Sequence, residues 1–368
     1  MSSMARMFRY CFAVSTFLLV LCGGMAQNKS PIVRPTPAEI AGQFQLTAQN
    51  VAPWHLKARI QLYRDGKPDG EGWVEKFYAG AKQQKTIYTF ANFHQVRTVT
   101  GDGIFIDGDE GEPPPGVAEW LRALERPANK GALNADTKVG NTKLKVDGVQ
   151  MHCLSATWDT GAKMRAEDSH LSEDFGKHEQ IFCFDNVSGL LRYVTLSTLG
   201  TAGHGYAVMF NRMTNFGGSD VPLDATVYFE KQRLIDVAVE PLRAMTSSDA
   251  TALVPSSTAV RQIRGNMEMV SMGSQKDALE RNIPRVSNGQ ALLRLQIQPD
   301  GKVSQSTVIA ASNRRFALDV SQMFLTHHYK AQPDGRSNAR YLNVQFASFP
   351  STQSSDTWAN SPPPRTTY

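Results

Sequence analysis

From about residue 54 to 100 the chain alternates apolar and polar positions with a period of two. The runs Leu56-Lys57-Ala58-Arg59-Ile60-Gln61-Leu62-Tyr63, Trp73-Val74-Glu75-Lys76-Phe77-Tyr78 and Thr86-Ile87-Tyr88-Thr89-Phe90 each send every second side chain to one face, as half-buried strands do. Asp65-Gly66 and Asp69-Gly70 supply turn residues between the first two runs, so the pattern predicts an antiparallel meander. A further hairpin signal, 96–100 and 104–106 around Gly101-Asp102-Gly103, extends it until Pro113-Pro114-Pro115 stops the sheet. Two segments show helical spacing instead. Ile40, Phe44 and Ala48 follow a Thr36 cap and Pro37, and Val117, Trp120, Leu121 and Leu124 make a short amphipathic helix to lie on the sheet. Strand patterns resume at 142–158, 179–185, 190–198, 205–214, 224–230 and 233–240.

Residues 243–265 are rich in small polar side chains and read as a linker. Beyond it Leu293, Leu295 and Ile297 alternate with polar residues, Pro299-Asp300-Gly301 turns the chain, and 303–309 returns. Phe316, Val320, Met323 and His327 then recur at helical spacing over 316–329, and 341–349 gives a last strand alternating Leu342, Val344 and Phe346. The predicted order is ββαβ, a helix over one face of a three-stranded sheet. Residues 350–368, rich in Ser, Thr and Pro, are expected to be a disordered tail.

The N-terminus changes the picture of where this fold works. Arg6 and Arg9 precede an apolar run from Tyr10 to Leu21, and Gly23-Gly24-Met25-Ala26 offers small residues before polar Gln27. That is a secretory signal peptide, 1–26, with cleavage expected after Ala26, and it places the mature chain in the periplasm or outside the cell. The apolar run is short against the roughly 20 residues a membrane helix needs. An uncleaved anchor is the alternative. Leu21 before Cys22 is the wrong size for a lipoprotein cut. The net charge of +5, from 39 Lys and Arg against 34 Asp and Glu, is spread without a basic run, so nothing marks nucleic acid.

Outside the signal only Cys153 and Cys183 remain, each in a strand-like run. In an oxidising compartment an even pair favours a disulfide; two buried free thiols are the alternative reading.

Residues 284–349 resemble the TonB C-terminal domain. The resemblance rests on Pro284, Gly289, the strand from Leu293 to Ile297, Pro299-Asp300-Gly301-Lys302-Val303, Ser312, Phe316-Ala317-Leu318-Asp319, Tyr329-Lys330-Ala331-Gln332-Pro333-Asp334-Gly335 and the strand ending in Phe346. Residues 38–242 are similar, in pattern more than in motif, to LolA-type half-barrels that carry lipoproteins or lipid. An opening helix, a meander and a late strand pair, with Val221-Pro222 leading into 225–229 and 233–239 returning, carry that similarity. The fold class expected is therefore α+β: an antiparallel half-barrel sheet with short helices, 38–242, then a linker, 243–265, and a small ββαβ TonB C-terminal-like domain, 266–349. A TonB energy transducer needs a retained anchor and a long Pro-, Glu- and Lys-rich spacer, and this chain has no such spacer.

No H-E-x-x-H, G-x-S-x-G, Walker loop or paired C-x-x-C occurs. Gly200-Thr201-Ala202-Gly203-His204-Gly205 has the wrong glycine order for a dinucleotide loop. His152 and Cys153 are neighbours on a strand and point to opposite faces, which defeats a dyad. His327 and His328 sit about 100° apart on a helix and cannot chelate one metal; packing and charge near a helix end are their expected roles. The acidic 107–112 lacks the glycine and glutamate spacing of a calcium loop. His170, Glu173, Asp174 and His178 would gather a metal only if their loop folded for it. No catalytic residue, metal or cofactor is expected.

The function these readings imply is a non-enzymatic binding protein of the cell envelope. The half-barrel would hold an apolar or lipidic ligand, with Trp54, Trp73, Tyr78 and Phe93 as groove residues or ordinary core. The last strand, through Tyr341, Asn343 and Gln345, would present an unpaired edge to an envelope or outer-membrane partner by strand addition. A TonB-family transducer subunit, anchored by an uncleaved N-terminus, is the alternative.

Overall fold

The structure is a computed structural model. It describes Thr36, Glu39 and Leu46, then residues 51–159, 177–262, 269–271, 288–329, 337–347 and 365–367, apart from 110, 129–130, 134–135, 147, 197 and 200–204. The signal peptide and His170, Glu173 and Asp174 lie outside the described residues. No helix among the described residues is long and apolar enough to cross a membrane. The described residues from Thr36 onward fall in one compact unit.

The period-two runs become an antiparallel meander: β1 (Trp54–Arg64), β2 (Lys67–Gly80), β3 (Gln83–Phe90), β4 (Phe93–Thr100) and β5 (Gly103–Gly108). Asp65 and Gly66 both take positive φ, 49° and 74°, in the tight turn whose twist matches the flanking strands. After α1 (Val117–Glu125) come β6 (Lys138–Val146), β7 (Val149–Asp159), β8 (Lys177–Phe184), β9 (Leu191–Thr195), β10 (Thr198–Leu199), β11 (Tyr206–Phe216), β12 (Ser219–Phe229) and β13 (Gln232–Val239). The expected single strand over 142–158 is a hairpin, β6 and β7, because Gly148 at φ +83° lets the chain reverse. With β14 (Arg243–Ala244) and β15 (Val260–Arg261) these strands make one 15-stranded antiparallel sheet, thirteen of them in the order β15-β5-β4-β3-β2-β1-β13-β12-β11-β9-β8-β7-β6, with β10 paired to β8 and β14 to β1.

Even-numbered positions of β1 point into the main core, where Trp54, Leu56, Ala58 and Ile60 are fully buried. α1 lies on that face over β11 and β12 and buries Val117, Trp120, Leu121 and Leu124. Each such side chain contributes about 1.5–3 kcal/mol of burial. Gly116 begins the helix at φ 90°, and its N–H donates to the Glu119 carboxylate at 3.0 Å. Lys76 of β2 reaches the same interior and pairs with Glu125 of α1, both largely removed from solvent. At the N-terminus Thr36 and Glu39 exchange the two bonds of a capping box, and the Leu46 carbonyl accepts from Trp54 Nε1 at 2.8 Å.

The stretch read as a linker is pinned along the sheet. Thr246 caps α2 (Ser247–Thr251), Asp249 pairs with Arg243, and Ser256 and Thr258 both donate to the Asp107 carboxylate. Val260 pairs with Ile106, so β15 covers the β5 edge. Small polar side chains serve here as local hydrogen-bonding groups, and Asp107 of the acidic stretch is the acceptor that tethers them.

The C-terminal part holds β16 (Met269–Ser271), β17 (Asn288–Ile297), β18 (Val303–Ala311), α3 (Arg314–Phe324), β19 (His328–Tyr329), β20 (Asn338–Ala347) and β21 (Arg365–Thr367). β17, β18, α3 and β20 follow the strand, strand, helix, strand order, and α3 packs on β17 and β18. Asn313 caps α3 by accepting from the Arg315 and Phe316 N–H groups. The helix is shorter than 316–329: Thr326 returns a hydroxyl bond to the Met323 carbonyl, and the chain leaves to form β19, paired with β16.

The sheet has four strands, β18-β17-β20-β21, which corrects two expectations. Residues 365–367 of the supposed tail form a strand. They pair with Asn343, Val344 and Gln345, so the edge assigned to partner docking through Tyr341, Asn343 and Gln345 is already occupied at its centre. The reason is chemical: unpaired backbone groups are satisfied by the nearest extended segment, here the chain's own. Leu292, Ile309 and Ala310 of this sheet join the main core, and Gln232 Nε2 donates to the Ala311 carbonyl at 2.8 Å.

Candidate ligand-binding site

The opposite face of the large sheet carries a second apolar cluster where β6, β7, β8 and β9 run side by side. Odd-numbered residues build it: Met151 and Cys153 of β7, Ile181 and Cys183 of β8, and Tyr193 of β9, with Leu144 and Val146 of β6 packed against them. Cys153 stands directly opposite Cys183 in the β7–β8 ladder with Cα atoms 3.9 Å apart, and the two sulfurs are bonded. The even-numbered neighbours Leu154, Phe182 and Phe184 belong to the main core. These strands are therefore apolar on both faces, as strands covered on both sides are.

Beyond this cluster the surface opens into a cleft of about 290 Å³. Leu144, Val146, Ile181 and Ala207 give it aliphatic walls, Tyr193 and Tyr228 aromatic ones, and Lys145 and Lys231 bound it as cations. The β8–β9 ladder is irregular at Cys183/Phe184, and the Ile181 N–H donates to the Thr195 hydroxyl at 2.8 Å. Gln180 donates to the Thr195 and Pro127 carbonyls, which fixes this part of the sheet against the segment after α1. Burial pushes the Tyr193 phenol up to about 12, with the Glu230 carboxylate adding to it, so this hydroxyl stays neutral and able to donate. Glu230 is itself engaged, accepting from the Gly205 N–H at 2.5 Å.

The four groove residues expected from the sequence do not form one groove. Trp54 and Tyr78 stack at 5.1 Å in the closed core, 0% and 8% exposed. Phe93 is half-buried and tilted against Tyr88 at 6.4 Å, packed on the same core. Trp73 lies on the other face, 40% exposed, with Lys57 Nζ 4.9 Å from its ring centre. Parity separates them: Arg59 pairs with Trp73, whereas Trp54 pairs with Tyr78. On the inner face α1 covers β11 and β12, and the cleft lined by Leu144, Ile181 and Tyr193 lies on the outer face. Sequence reasoning missed Tyr193 and Tyr228; the available signal was apolar occupation of both parities around the two cysteines.

Other sequence candidates have structural roles. His178 stacks on Trp158 at 5.5 Å, and burial lowers its pKa. His327 is 4% exposed, holds the Met323 carbonyl through Nδ1 at 3.1 Å, and has its pKa lowered by burial, so it packs as a neutral ring and not as a helix-end charge. Among the described residues no group of three or more His, Cys, Asp and Glu could hold a metal.

No protein-family profile matches the chain, and no curated protein does. Several solved structures show partial similarity to it. A DUF1329 family protein from Desulfovibrio piger is 11% identical over 60% of this chain and 97% of its own, with a TM-score of 0.36. A LolA superfamily protein from Nitrosomonas europaea is 11% identical over 58% and 96%, at 0.32. A putative outer membrane lipoprotein-sorting protein domain from Vibrio parahaemolyticus is 8% identical over 58% and 95%, also at 0.32. At such scores nothing about function transfers to this chain.

Proposed function

We propose that the chain is an exported, non-enzymatic binding protein of the cell envelope that holds an apolar or lipid-like ligand on its large sheet. The observation that carries this reading is the cleft of about 290 Å³, walled by Leu144, Val146, Ile181, Ala207, Tyr193 and Tyr228. Ligand sites combine such apolar walls with a few polar groups that orient the ligand, and the size is at the small end of the usual roughly 300–1,000 Å³. The N-terminal sequence supports export, and the TonB-like sequence of 284–349 supports partner docking by the C-terminal part through a surface other than the occupied centre of β20.

The test is extraction of the mature chain under native conditions, mass spectrometry of bound small molecules, and displacement of the apolar fluorophore N-phenylnaphthylamine. Saturable probe binding that Val146→Trp abolishes, with the fold intact by circular dichroism, supports the cleft. Binding untouched by Val146→Trp, or no binding at all, refutes it.

A further inference from the structure

We infer that the cleft takes a single-chain amphiphile with an anionic head, its chain against Leu144, Val146 and Ile181 and its head between Lys145 and Lys231. This rests on the cleft being the ligand site proposed above. Three observations point the same way.

A volume of about 290 Å³ suits one alkyl chain better than the two chains of a diacyl lipid. The second observation is the distribution of polarity. Leu144, Val146 and Ile181 belong to the cluster packed over the disulfide, whereas Lys145 and Lys231 are exposed, so the cleft runs from greasy interior to charged mouth. The third is charge. Among the described residues neither lysine ammonium has an ion-pair partner, and the one carboxylate close by, Glu230, is held by the Gly205 N–H. Among the described residues, two cations against one engaged acid leave a positive excess. An anionic head placed there gains charge-assisted hydrogen bonds, and the neutral Tyr193 phenol is a further donor within the cleft.

The experiment is titration calorimetry of the full mature chain with three 12-carbon probes below their micelle concentrations: dodecanoate, dodecanol and dodecyltrimethylammonium. Dodecanoate is expected to bind about tenfold or more tighter than the other two. The Lys145→Gln/Lys231→Gln double variant should lose that advantage and keep its dodecanol affinity. Equal affinity for all three, or a dodecanoate preference that survives the double variant, overturns the anionic head while leaving an apolar cleft standing. Failure of every probe to bind overturns the cleft itself. A diacyl anionic phospholipid, presented in small vesicles, that competes for the same site as well as dodecanoate overturns the single chain.

Discussion

An alanine methyl at Gly301 would lie 1.9 Å from the Tyr329 carbonyl oxygen, at a backbone φ of +91° that side chains disfavour. The close approach exists because the Pro299-Asp300-Gly301 turn is also a docking edge: Tyr329 N–H bonds the Gly301 carbonyl at 2.8 Å, and His328 Nε2 meets the Asp300 carbonyl at 2.8 Å. Gly301→Ala should therefore destabilise by about 2 kcal/mol or more, read from denaturant midpoints; an unchanged midpoint contradicts the contact. Glu125→Gln leaves the Lys76 ammonium buried without its acid and should cost about 3 kcal/mol. Lys76→Met with Glu125→Leu should recover most of that loss. His327 gives a pH signature. Burial sets its folded-state pKa below the unfolded value of about 6.5, so the unfolded chain takes up the proton first. Its contribution is full above about pH 6.5 and is lost as pH falls toward the folded pKa. His327→Asn should flatten the decline of stability in that window; parallel pH curves would show that the folded and unfolded chains protonate this ring alike. Burial raises the carboxyl pKa values of Glu112 and Glu119, and their effect is common to both proteins and cancels in the difference.

Among elements, the β7–β8 pair is held by a bond across a separation of 30 residues, so replacing both cysteines with alanine should lower stability by about 3–4 kcal/mol, measured by thermal and denaturant unfolding. A change below about 1 kcal/mol would show that the ladder alone fixes the pair. Most strands were legible because a period of two survives wherever one face is wet, as in β1 and β13, and Asp65-Gly66 announces its own turn. What stayed hidden depends on where a strand lies in the sheet. Strands β7 and β8 are apolar on both faces, so parity no longer says which side holds a site. The segment 243–265 has linker composition, and only the position of Asp107 on β5 turns its hydroxyls into anchors. The edge at Asn343 and Gln345 could be read as a strand from its own sequence. Its occupation by 365–367 is a long-range pairing that no local pattern encodes.

For the whole molecule, the large sheet and the C-terminal sheet share a core: Leu292, Ile309 and Ala310 pack with it, Tyr341 lies against it, and the Tyr341 N–H bonds the Glu112 carboxylate at 3.2 Å. Unfolding should accordingly be one transition, with tryptophan fluorescence from Trp54 and Trp120 coincident with a label at exposed Leu318 on α3. Two separated midpoints would show two independent units. The disulfide has a consequence of another kind, for how freely the chain can be rewritten. Residues 160–176 join β7 to β8, and with those strands covalently clamped the register no longer depends on how long that connection is. A chain lengthened between β7 and β8 should therefore keep Cys153 opposite Cys183, read as the same disulfide-linked pair in a peptide map.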